Sequence, residues 1–268
     1  MSGTGASSKP LTYSRYLRID ELLELQRPLS EGPEHDEMLF IVIHQVYELW
    51  FKQILHELNQ LRTALEAAVV PTALATQKRI LTILKTLVGQ VDVLETMTPV
   101  AFSSFRARLE SASGFHSAQF REVEYLLGHK NPQMARHHPA DSRGGRRLQE
   151  LLREPTLYDS FLCFLAERAY AVPTELLARD VSQPIAESPA LQAVLLEIYR
   201  ADPETAMVCE RLVDLDEGLQ EWRYRHVKMV ERTIGFRPGT GGSLGVPFLR
   251  ESLFKPVFPD LWAIRDQL

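Results

Sequence analysis

The sequence predicts an all-α protein. Apolar residues recur at helical spacing, almost no run alternates apolar and polar residues at period two, and the breaks fall at helix stops: Pro28, Pro71, Pro99 and Gly128. After a disordered start over residues 1–10, Tyr13 to Gln26 reads as an amphipathic helix ending before Pro28. His35 to about Ala68 reads as one long helix, and Thr72 to Met97 as the next. Pro99 to Leu109 breaks at SASGF, and His116 to Leu127 stops on Gly128. The polar stretch GHKNPQMARHHPADSRGGRR reads as a surface loop that leaves His129, His137 and His138 in solvent. Helices follow over Thr156–Tyr170, Ala190–Arg200 and Glu204–Ile234, and Phe258 to Leu268 closes the chain with FPDLWAIRDQL. With no repeat and no composition break, residues 11–268 read as a single helical domain.

Composition narrows the function classes. The chain has 268 residues, 45% of them apolar, enough for a sizeable core. A net charge of −5 spread along the chain argues against nucleic acid and anionic membrane as partners. The start MSGTGASSKP lacks the apolar stretch of a signal peptide, and no uncharged apolar run reaches membrane-spanning length, so the expectation is a cytoplasmic protein. Cys163 and Cys209 are far apart and outside any CxxC or CxxCH spacing, so they read as two core thiols.

Two histidines fall inside apolar helix faces. At 100° per residue, Leu219, Trp222, His226, Met229, Val230 and Thr233 share one stripe, opposite a charged face. The run MLFIVIHQVYELWF is apolar nearly all round, so it reads as buried on most sides. Within it, Phe40, His44, Tyr47, Glu48 and Phe51 share a face. Either histidine alone reads equally as a satisfied core residue. Zinc proteases need HExxH and di-iron bundles need Glu-x-x-His, and neither spacing occurs. A single imidazole on a macrocyclic metal remains.

The glycine-rich stretch GTGGSLG invites three further readings. A phosphate cradle needs a lysine after the glycines, and a dinucleotide turn needs G-x-G-x-x-G; both fail. The string Gly241 to Gly245 matches G-x-S-x-G, yet a helix and Pro238 precede it where a hydrolase needs a strand. What is left is a backbone that approaches a ligand closely, with Thr240 and Ser243 as donors, or a plain linker in which Gly235 caps the helix. In FSSFRARLE, Arg106 stands within a helical turn of Phe102 and Phe105, a fork for a carboxylate beside rings for an apolar body. These elements together describe a pocket for an aromatic amino acid beside a metal.

Across most of its length the chain resembles the tryptophan 2,3-dioxygenases. YSRYLRIDELLELQRPLS, HDEMLFIVIHQVYELWFKQILHEL, FRARLESASGFHSAQFREVEYLLG, HVKMVERTIG, GTGGSLGVPFLR and FPDLW stand in that family's order from Tyr13 to Trp262. The resemblance implies a helical fold around a non-covalent b-type haem, with His226 as the axial ligand of an iron that is ferrous in the active state. It implies L-tryptophan and dioxygen as substrates and N-formyl-L-kynurenine as product, the first step of the kynurenine pathway. His44 matches the distal histidine that orients the indole N–H, and Phe40 the ring that packs on the indole. Arg106 matches the carboxylate-binding arginine, Thr240 a threonine at the amino-acid end, and Ser113 a residue of the turn near the haem. Tyr13, Tyr16 and Leu17 match an N-terminal arm exchanged between subunits of a homotetramer built as a dimer of dimers.

The chain departs from several bacterial members at Phe102, where a tyrosine hydroxyl helps hold the carboxylate, and at Ile43 and Tyr47 beside His44. The alternatives are a haem-dependent monooxygenase of a substituted indole and a haem-binding sensor without turnover. Arg106 and the GTGGS loop argue for an amino-acid substrate.

Overall fold

The computed structural model describes residues 10–32, 34–110, 112–239 and 245–268, and among them every regular element is helical. Most of residues 1–10, expected to be disordered, and Thr240, Ser243 and their neighbours over 240–244 lie outside the described residues. The helices are α1 Tyr13–Leu17, α2 Ile19–Leu23, α3 His35–Glu66, α4 Val70–Leu94, α5 Pro99–Arg106, α6 Ala118–Leu126, α7 Pro132–Ala135 and α8 Arg143–Leu151. They continue with α9 Leu157–Glu167, α10 Thr174–Leu177, α11 Pro189–Ala201, α12 Pro203–Ile234, α13 Val246–Arg250 and α14 Pro259–Ala263.

The scaffold is three long helices. α4 lies against both α3 and α12, each 32 residues and roughly 48 Å long. Their facing stripes form a continuous core in which Leu61, Leu65, Leu87 and Leu212 are fully buried. The ends are fixed by local chemistry. Asp202 caps α12 by accepting from the amides of Glu204 and Thr205, both at 3.1 Å. Thr156 and Asp159 close a capping box on α9. Gly235 ends α12 at φ 62°, in the cap position expected of it.

FPDLW is an anchor. The buried Asp216 on α12 accepts from the amides of Val257 and Phe258 and from the Trp262 indole, at 2.7, 3.2 and 2.9 Å. Asp260 accepts from the amide of Ser188 at 2.7 Å and from Tyr158 at 3.1 Å. Two carboxylates thereby tie the C-terminal segment to α9, α11 and α12.

Four expectations need correction. The helix expected over Tyr13–Gln26 is two short ones, because Arg18 turns left-handed at φ 52°. The supposed surface loop after Gly128 contains α7 and the start of α8, and it buries Met134 and Ala135. Cys163 is exposed while Cys209 is buried. The helix around His44 is buried on one side only: Met38, Val42 and Leu49 face outward, between 38% and 53% exposed.

Candidate active site

A cavity of about 980 Å³ opens between α3, α5, α6 and α12, at the upper end of the ~300–1,000 Å³ usual for ligand and cofactor sites. Its lining gathers the residues singled out from sequence: Phe40, His44, Phe102, Arg106, Ser113 and His226. Gly239 and Gly245, which flank the undescribed 240–244, line it as well. Gly245 is held at φ +69°, and a Cβ there would meet the Arg237 carbonyl oxygen at 2.7 Å, so only glycine fits. Tyr13, Tyr16 and Leu17 do not reach this cavity; they are 76%, 72% and 43% exposed.

His44 is supplied by α3 with its tautomer set. Nδ1–H donates to the Phe40 carbonyl one turn back at 2.7 Å, so the lone pair sits on Nε2. That nitrogen faces Gly114, where an added Cβ would lie 4.0 Å away. Burial, only partly offset by the Phe40 carbonyl and Glu48, lowers the pKa of this histidine and keeps it neutral. Phe40 packs over the His44 ring at 4.1 Å between centroids and meets Phe102 at 5.9 Å.

His226 is supplied by α12 and has a different environment. Burial first, then the charges of His44 and Arg121, pushes its pKa down to about 4. Neither ring nitrogen has a protein hydrogen-bond partner among the described residues. The ring lies parallel to Trp222, 4° between planes and 5.3 Å between centroids, and Trp222 in turn meets Phe51 and Phe120. A neutral, deep imidazole with an unshared lone pair beside a roomy, mostly apolar cavity has the donor chemistry of an axial metal ligand. The residues present therefore fit a haem-sized group.

Arg106 ends α5 and donates from Nη2 to the Pro238 carbonyl at 2.7 Å, which ties it to the segment after α12. Ser113 accepts from the Phe115 amide at 3.3 Å and so caps the turn near His44. Phe102 leaves Arg106 without a hydroxyl neighbour at that position. Tyr47 also lines the cavity and donates to the Leu87 carbonyl at 2.6 Å, joining α3 to α4. Burial is the main reason its phenol is pushed up to about 12.

The sequence profile of the tryptophan 2,3-dioxygenase family matches residues 2–140 and 159–268. The chain belongs to the tryptophan 2,3-dioxygenase family. It is 59% identical to a tryptophan 2,3-dioxygenase of Herpetosiphon aurantiacus over 97% of this chain and 100% of that protein. The match to one from Anaeromyxobacter dehalogenans is 57% over 100% of both chains, and to one from Kineococcus radiotolerans 47% over 97% and 92%. Residues 141–158, outside the profile match, carry α8.

Sequence reading missed one group on the cavity wall: Arg121, Glu124 and Arg223, with His129 against them. The clue was available, since Arg223 falls beside the apolar stripe, but single charged residues near helix faces are common. His129 was placed in solvent, whereas it bonds Arg223 at 2.8 Å. His137 is exposed as expected, and no group of three metal-ligating side chains exists among the described residues.

Proposed function

We propose that this chain cleaves the indole C2–C3 bond of L-tryptophan with dioxygen, both oxygen atoms entering N-formyl-L-kynurenine, and that a non-covalent b-type haem is held by His226. The observation that carries the reading is the pair of neutral imidazoles on one cavity, His226 with no hydrogen-bond partner among the described residues and His44 with its Nε2 lone pair turned away from the Nδ1–Phe40 bond. When bound, the haem supplies the ferrous iron chemistry that activates dioxygen.

The protein's share is binding, orientation and exclusion of water. His44 Nε2 accepts the indole N–H; because Nδ1–H is committed to Phe40, the imidazole orients the ring without having to take the proton. Phe40 and Phe102 pack on the indole faces. Arg106 receives the amino-acid carboxylate, with Ser113 in the turn near His44; Thr240, outside the described residues, keeps the role at the amino-acid end that the family resemblance implies. Without a hydroxyl at Phe102, Arg106 carries that carboxylate with less help than in relatives that have tyrosine there.

The exposed arm supports a further part of the reading. Tyr13, Tyr16, Leu23 and Leu29 leave an apolar surface on α1, α2 and the segment behind them, more than single scattered residues need. We infer that it covers the neighbouring subunit's site in a homotetramer. Among the described residues no helix is long and apolar enough to cross a membrane.

The test is turnover of reduced, haem-loaded protein with L-tryptophan under heavy dioxygen. Two heavy atoms in the formylkynurenine are expected. A single heavy atom would move the chain to monooxygenation, and no product would overturn the substrate assignment.

A further inference from the structure

A smaller pocket of about 380 Å³ opens beside the main cavity, lined by Ser103 and Arg106 of α5, by Ala107 and Glu110 just beyond that helix, and by Arg237 shortly past the end of α12. Of these five, Arg106 alone also lines the main cavity. Its Nη2–H, donated to the Pro238 carbonyl at 2.7 Å, ties α5 to the segment that carries Arg237. Arg106 thus stands between an inner space and an outer one.

The outer pocket carries charges of both signs. Arg237 and Glu110 are exposed, and neither side chain has an ion-pair or hydrogen-bond partner among the described residues. Exposed charges are ordinary, but the backbone under Glu110 is not: φ 46° and ψ −111° lie in a region that residues with a Cβ avoid. Non-glycine residues held in such conformations collect at ligand-binding positions, where the surrounding fold over-determines them. Glycine would sit there without strain, so the chain holds a carboxylate on this rim at the expense of stability.

We propose that Arg237 and Glu110 form an outer subsite for the ammonium carboxylate end of an amino acid, Arg237 taking the carboxylate and Glu110 the ammonium, from which the carboxylate passes to Arg106 as the ring enters the main cavity. One cation and one anion on a single small pocket are the complement of a zwitterion. No aromatic or large apolar side chain lines this pocket, so it reads the amino-acid end and leaves recognition of the ring to Phe40, His44 and Phe102. The inference rests on the reading of L-tryptophan as substrate. The ring-opened product keeps the same ammonium carboxylate, so entry and release are separated by experiment.

The test is stopped-flow association on the full, haem-loaded chain, followed by the Soret change without turnover, with L-tryptophan, tryptamine, which lacks the carboxylate, indolepropionate, which lacks the ammonium, and kynurenine. Arg237→Gln and Glu110→Gln should each slow association of L-tryptophan about two- to five-fold, the range for one exposed ion pair. Each loss should follow its own charge: Glu110→Gln slows tryptamine and spares indolepropionate, and Arg237→Gln does the reverse. Arg237→Lys should keep most of the wild-type rate, and ~0.5 M salt should shrink the differences between variants. Glu110→Gly, which relieves the backbone, should melt no lower than wild type and still show the loss of Glu110→Gln.

Association of L-tryptophan at the wild-type rate in both variants, or equal losses for all the ligands whatever charges they carry, would overturn the proposal. A loss seen with kynurenine and not with L-tryptophan would assign the pair to product release and overturn the entry role. If L-tryptophan produces no spectral change in wild type at any concentration, it is the substrate reading beneath the inference that falls.

Discussion

The α3 wall and the α12 wall of the cavity each present a neutral imidazole, and they hold it by different means. His44 is fixed by a hydrogen bond from its own helix, which decides the protonated nitrogen before any ligand arrives. His226 has no such bond and is oriented by parallel stacking on Trp222. His129, on the wall of the same cavity, is the third case, with Arg223 at one nitrogen and the Pro256 carbonyl at 3.4 Å from the other. The more of a histidine's bonding capacity the protein consumes, the less it has for a ligand. Under the proposed function the three histidines grade from metal ligand through hydrogen-bond acceptor to structural residue.

That comparison breaks most visibly at His226. His226→Ala should abolish histidine-type ligation and lower turnover by well over ~100-fold, more than the ~10–100-fold typical of residues one step removed from a metal; a Soret spectrum unchanged from wild type would place the ligand elsewhere. Trp222→Leu removes the stack and the centre of an aromatic cluster, Trp222 itself being 6% exposed. A loss of about 3 kcal/mol in unfolding free energy is expected by denaturant titration, with a smaller loss for Trp222→Phe. Arg106→Ala should raise the Michaelis constant for tryptophan ~10–100-fold, the effect of losing a charged hydrogen-bond partner. An unchanged constant would count against the carboxylate site. His44→Ala should cost only about 3–10-fold in kcat/KM, as fits one neutral hydrogen bond; a loss of thousands would make it an essential base.

His129 supplies a test by pH. Burial, then the Arg223 charge, holds its pKa down to about 4, against ~6.5 for an unperturbed histidine. Between those values the unfolded chain binds a proton that the folded chain refuses. The contribution is therefore complete above pH ~6.5 and is lost as pH falls toward 4, up to ~3 kcal/mol. His129→Gln should flatten that part of the stability curve; a slope identical to wild type would show that His129 protonates readily in the folded state.

Much of this was legible in sequence where a periodic pattern carried the information. The three long helices, the Gly235 cap and the sharing of one face by Phe40, His44 and Tyr47 follow from spacing alone, and the cavity gathers those residues. The misses have a common physical origin. The break at Arg18, the burial of Met134 and the outward face at Met38 depend on what each segment packs against, and one chain's apolar count does not say which side is covered. The group of Arg121, Glu124 and Arg223 escaped notice because Glu124 takes one partner from its own helix and one from α12, a pairing that only the packing of the two helices brings about.

His44 and His226 stand in the first and last fifths of the chain, on helices joined chiefly through α4. Any occupant that touches both acts as a clasp across nearly the whole polypeptide, and by mass action it stabilises the folded form in proportion to the logarithm of its concentration over its dissociation constant. A chain with no occupant lacks that contribution and visits protease-susceptible open forms more often, by the same mass-action factor.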